Sequence, residues 1–275
     1  MNFDRFRTQV AVELDLGCTD LSLWSTNFNQ TFIDFVIDQE RKDTLLQELK
    51  DDALDMYFKG VHSISNAIFN ISEGNHSWSV VKLYYATFYL MRCSLATRGI
   101  AFLKNKNIYS LEMKIGEKPV KRNKGRLNGV NVSGDHKSTI KAYVDIVGQN
   151  DVLQTNTIDG KLVYEWMMEL RNQVNYRERV FHEPDMKHFP DTLFDNNTVK
   201  SQIETYLNDE NLVYCFDETH CCIAAPLKLL SVVKEELTNF YSGCTLGTTK
   251  VATIDSMLNK TSLPNLTAFR SLYNF

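Results

Sequence analysis

Residues 77–98 constrain this chain more than any other segment. Trp78, Val80, Val81, Leu83, Tyr84, Tyr85, Phe88, Tyr89, Leu90, Met91, Cys93 and Leu95 all fall within them. At 100° per residue these side chains cover every face of a helix. A helix apolar all round is buried on all sides, in the centre of a bundle or between a bundle and a partner. Arg98 suits the negative end of such a helix, and Gly99 stands where a C′ residue belongs. The segment is too short and too charged to cross a membrane. Its apolar run, Leu83 to Met91, is bracketed by Lys82 and Arg92, against the ~18 consecutive apolar residues a span requires.

The rest of the chain also reads as mostly helical. In 43–72, Leu45, Leu46, Leu49, Ala53, Met56, Tyr57, Val61, Ile64 and Ile68 recur at three and four, with Asp43 or Thr44 as the cap. Residues 101–135 break the pattern with short apolar pieces and an Asn128-Gly129 turn, which predicts a loop or small β-hairpin between helices. Further helices are expected over 137–147, 160–183, 198–208, 215–240 and 249–259. A flexible polar stretch is expected over 148–157 and a kink or break at Pro226. The fold class is therefore all-α, a helical bundle with a loop or small β-hairpin insertion and additional C-terminal helices. Its divisions are an N-terminal extension (1–42), a bundle (43–185, insert 101–135) and a C-terminal helical extension (198–275). Twelve Gly and five Pro in 275 residues are too few for a many-turned β-sandwich.

Charge narrows the function classes. Thirty basic and thirty-four acidic residues give a net charge of −4, which argues against coating nucleic acid through global charge. A local exception runs from Lys114 to Arg126. Lys114, Lys118, Lys121, Arg122, Lys124 and Arg126 stand against the single acid Glu117, so the run is either an RNA- or polyanion-binding loop or a solvated one. It lacks aromatics, so no base stacking is expected within it. Asp4, Arg5, Arg7, Glu13 and Asp15 leave no apolar signal-peptide core, making the cytoplasm the expected compartment. The six Cys make no paired framework. Cys215, His220, Cys221 and Cys222 are zinc-ligand types at the wrong spacing, and they read as small buried hydrophobes; no metal and no cofactor is expected. Phosphate-loop, dinucleotide-binding, nucleophile-elbow and zincin motifs are absent.

The helix expected over 160–183 carries a misplaced charge. Extrapolated at 100° per residue, Arg177 falls between Trp166 and Leu170 on the side that also holds Leu162, Val163, Val174 and Phe181. Arg171, Asn175, Glu178 and His182 form a polar stripe at the edge of that side. Either these groups form an internal polar network that fixes helix packing, or they serve phosphate chemistry.

Two blocks resemble the HEPN domain superfamily. Leu83-Tyr84-Tyr85-Ala86-Thr87-Phe88-Tyr89-Leu90-Met91-Arg92, closing at Arg98-Gly99-Ile100, is similar to its second-helix signature. Leu170-Arg171-Asn172-Gln173-Val174-Asn175-Tyr176-Arg177 resembles its Arg-centred last-helix motif. The resemblance implies an all-α bundle that often dimerises through the motif-bearing helices. It also implies a metal-independent RNA endonuclease of a prokaryotic defence or toxin–antitoxin system. Arg171, Asn172, Tyr176, Arg177 and His182 are then the candidate catalytic residues. The family motif places His a few residues after Arg. Tyr176 and Arg177 stand there after Arg171, whereas Arg177 to His182 keeps the spacing with Glu178 following the Arg. In such chemistry His is the base or acid and Arg neutralises the phosphorane. The rivals are a non-catalytic HEPN subunit that docks on a larger effector, an ATPase or a nucleotidyltransferase, and a nucleotide-binding module using the basic loop. Expected partners are RNA and either a second copy, as a homodimer, or a heteromeric defence complex, with no membrane.

Overall fold

The computed structural model describes residues 5–127, 129–181, 183, 188–195, 197–261, 263 and 266–275. Helix α1 (Arg7–Asp15) starts where the Asp52 carboxylate accepts the backbone N–H groups of Arg7 and Thr8, at 2.7 and 2.9 Å. Two short helices follow, α2 (Trp24–Asn27) and α3 (Asn29–Ile33). The first long helix, α4 (Gln39–Ser72), begins four residues earlier than its apolar pattern suggests. The reason is Asp38, whose side chain caps it by accepting from the Arg41 N–H at 2.9 Å.

A tight turn through Gly74, with φ +78°, reverses the chain into α5 (His76–Thr97). The two helices approach closely at Gly60, where a Cβ would meet the Leu90 side chain at 2.8 Å. Gly99, with φ +75°, ends the turn after α5 as expected. Arg98 donates to the Ser94 carbonyl at 2.8 Å and pairs with Glu236 at 2.7 Å.

The 101–135 insert is small antiparallel sheet. Strands β1 (Ile100–Asn105), β2 (Asn107–Glu112) and β3 (Val120–Lys121) pair in that order, with Ile100 opposite Glu112 and Tyr109 opposite Lys121. A second ribbon joins β4 (Arg126–Leu127) to β5 (Val130–Asn131). The N-terminal region is docked onto the first sheet: Trp24 Nε1 donates to the Lys104 carbonyl at 2.8 Å, and Ile37 N–H to the Glu117 carbonyl at 3.0 Å.

Next come α6 (Gly134–Val147) and a stretch expected to be flexible, 148–157. It is instead pinned: Asp151 and Leu153 are buried, and the Tyr164 hydroxyl donates to the Asp151 carboxylate. Helix α7 (Val163–Asn172) is shorter than the 160–183 helix read from the sequence. Ile158 and Lys161 pair as a β-bridge before it. After it the backbone widens into a π-helical turn, Gln173–Arg177, and leaves the helix at Glu178. The remaining helices are α8 (Val199–Leu207), α9 (Cys221–Phe240), α10 (Thr248–Leu258) and α11 (Thr267–Arg270). The expected 215–240 helix therefore begins at Cys221, with Pro226 inside it. The chain is mostly helical with small antiparallel sheets.

Helix α5 is the centre of this arrangement. Helices α4, α6, α7 and α9 and strand β1 all pack on it. One continuous core joins Val12 of α1 to Tyr273. Most of the apolar surface of α5 is thus covered within the chain, by α4 and α9 above all, while Trp78 stays exposed.

Candidate functional site

The misplaced arginine is Arg171, not Arg177. On α7 it follows Met167 by four residues and Tyr164 by seven, so it shares their core-facing row, and it is buried. Arg177 is exposed, and Phe181 likewise. The π turn adds a residue to the last turn and so shifts Arg177 and Phe181 off the bearings of a regular helix.

A buried guanidinium needs compensation. The Arg171 Cζ lies 4.7 Å from the Tyr84 ring centre, 5.6 Å from that of Tyr176 and 5.7 Å from that of Tyr85. Electron-rich ring faces stabilise a cation at this range. The Arg171 Nε has no hydrogen-bond partner among the described residues.

The tyrosines lead to a histidine that sequence reasoning missed. The Tyr84 hydroxyl and His136 Nδ1 are 2.8 Å apart, and the imidazole packs against the Phe88, Tyr84 and Tyr85 rings. His136 lies in the first turn of α6, 52 residues along the chain from Tyr84. No local pattern marks it. Burial lowers its pKa from 6.5, and the Arg171 charge lowers it further, so the ring is neutral at pH 7. Burial raises the Tyr84 pKa, so the phenol keeps its proton. Two tautomers follow. With its proton on Nδ1, His136 donates to Tyr84 and Nε2 carries the basic lone pair. With the proton on Nε2, Tyr84 donates to Nδ1 and the Nε2–H is the donor.

The predicted site residues divide. Arg171 and Tyr176 are brought together; Asn172 is half-buried at the end of α7; Arg177 is exposed on the π turn. His182 lies outside the described residues. Glu183 folds back so that its carboxylate accepts the Ser77 N–H at 2.8 Å, and Phe181 packs against Trp78 with ring centres 5.8 Å apart.

In the basic run, Lys118, Lys121, Lys124 and Arg126 are exposed on and beside β3 and β4, and Lys114 pairs with Glu112. Arg122 differs: its Nε donates to Ser110 Oγ at 2.7 Å, tying the end of β3 to β2. Of the zinc-type residues, Cys215, Cys221 and Cys222 are buried thiols, and burial pushes Cys215 up to about 12. The His220 Nδ1 is engaged by the Tyr206 hydroxyl at 2.7 Å. Among the described residues no group of three His, Cys, Asp or Glu is placed to share an ion.

Compared with protein-family models, curated proteins and solved structures, the chain finds no match in any of the three.

Proposed function

We propose that this chain is a HEPN-like protein of the defence or toxin–antitoxin kind that cleaves RNA without a metal, at a site built on Arg171, His136 and Tyr84. One observation carries the reading. The two blocks that bear the resemblance, far apart in sequence, meet where Arg171 packs on Tyr84 and Tyr85. The meeting point holds a cation with an unpartnered N–H and a neutral imidazole.

These groups suit transesterification. His136 takes the proton of the 2′-hydroxyl, whose oxygen attacks the adjacent phosphorus. Arg171 offsets the charge of the phosphorane. The bond to the 5′-oxygen breaks, that oxygen takes a proton from Tyr176 or water, and a 2′,3′-cyclic phosphate remains. Tyr84 orients the imidazole.

The test is cleavage of single-stranded RNA in EDTA. His136→Asn and Arg171→Ala are each expected to lose ~10²–10⁴-fold in rate. His182→Ala separates the sequence motif from the site described above: a small effect assigns the proton transfer to His136. A second reading is a non-catalytic subunit that docks on a larger effector. It is favoured by Tyr176, which stands over Arg171 where the family motif has His. Wild-type protein that cleaves no RNA would select it.

A further inference from the structure

A cavity of about 890 Å³ lies between α1, the β1–β2 hairpin and the α4–α5 pair, apart from Arg171. That volume suits one small molecule. Its charges decide which kind.

Four carboxylates line it, and all are engaged. Glu13 receives Arg5 and Gln9, each at 2.8 Å. Asp52 caps α1 through two backbone N–H groups. Asp55 holds Arg7 and Lys250, each at 2.6 Å. Asp135 stands 3.6 Å from Arg92. The lining cations outnumber these acids. Lys59, Lys104 and Lys106 make no ion pair among the described residues, and the Arg92 Nε is buried with no partner. A cationic ligand would find no free carboxylate, whereas an anion would find several free donors.

The walls specify shape. Arg92 Cζ lies 5.1 Å from the Phe6 ring centre and 5.4 Å from that of Phe102, and Lys59 Nζ lies 4.7 Å from that of Phe6. Flat apolar faces therefore adjoin Lys59 and the unpartnered Nε of Arg92. Asn105 adds a buried Oδ1 without a partner among the described residues, held beside Trp24.

We propose that this cavity binds a small, flat organic anion, with Arg92 and Lys59 taking the negative group and the Phe6 and Phe102 rings taking the planar body. Two sources share that chemistry, a nucleoside monophosphate and an aromatic carboxylate. The proposal does not depend on RNA cleavage.

The experiment is calorimetric titration and thermal shift of the full chain in phosphate-free, low-salt buffer. One arm uses the ribonucleoside 5′-monophosphates and the other 2-naphthoate and indole-3-acetate; adenosine and inorganic phosphate are the controls. A member of one arm is expected to saturate with one ligand per chain, and the arm it belongs to identifies the source. Adenosine, lacking the charge, and phosphate, lacking the ring, should each bind about tenfold more weakly or worse. Lys59 is exposed; Lys59→Met, checked for an unchanged dichroism spectrum, and Arg92→Met should each weaken binding by about tenfold. Lys200→Met, an exposed position on α8, should not. No binding in either arm at about 1 mM, or binding that survives Lys59→Met unchanged, overturns the proposal.

Discussion

Arg171 shows how a single buried charge is held at a cost to the fold. Its buried, unpartnered Nε costs about 1–3 kcal/mol, which the surrounding rings offset in part. Arg171→Met fills the same space without the charge. Its expected result is a melting temperature unchanged or raised, together with loss of RNA cleavage. A sharp fall in melting temperature would make Arg171 a packing element instead. His136 allows a second measurement. Burial lowers the pKa of His136, and likewise of His62, His76 and His220, below 6.5. The unfolded chain therefore binds more protons as pH falls below about 6.5. The associated stability is fully present above that value and is lost as pH drops through the lowered folded values. Urea unfolding from neutral pH to about pH 5 should show the fall, with a slope of at most about 1.4 kcal/mol per pH unit for each histidine. His136→Gln should make the fall shallower by that one histidine's share.

Elements here are positioned by close approach and by strand register. Gly60 exists for the α4–α5 contact, since a methyl group there would meet Leu90. Alanine gains up to about 1 kcal/mol of helix propensity, but overpacking costs about 1–3 kcal/mol. Gly60→Ala should therefore lower stability in chemical denaturation, and Leu90→Ala in the same chain should restore part of the loss at Gly60. The β-sheet insert separates two kinds of basic residue that look alike in sequence. Reversing Lys118, Lys121 and Lys124 to Glu should weaken single-stranded RNA binding and make its salt dependence shallower, by about 0.7 in slope for each phosphate no longer neutralised. Arg122→Ala should act on stability, because its Nε holds β3 to β2 through Ser110. An unchanged affinity and slope in the lysine variant would make this surface solvated only.

At the scale of the whole molecule, α5 is a core helix that needs partners from both ends of the chain. Its cover includes α9, and Tyr57 of α4 donates to the Leu272 carbonyl at 2.6 Å, so the C-terminal residues are part of the same packing. A chain ending at residue 197 would expose one side of α5. It should lose near-ultraviolet dichroism and bind a hydrophobic dye, the behaviour of a collapsed state without fixed packing. A truncated chain with native-like unfolding cooperativity would show that α9 is an appendage.

Local signals carried much of this without tertiary information. The all-round apolar pattern of 77–98 requires burial, Gly99 requires an end, and the broken pattern after it requires something other than helix; these depend on periodicity and backbone sterics alone. Whatever covers α5 was not legible, because an apolar face specifies burial and not the identity of its neighbour. The site divides in the same way. The charge on an apolar helix was visible, but its bearing depended on a π turn that no residue of 173–177 announces. His136 reaches Tyr84 only because α6 docks beside α5. Contacts between residues far apart along the chain are decided by how helices pack, and packing is a property of the assembled molecule.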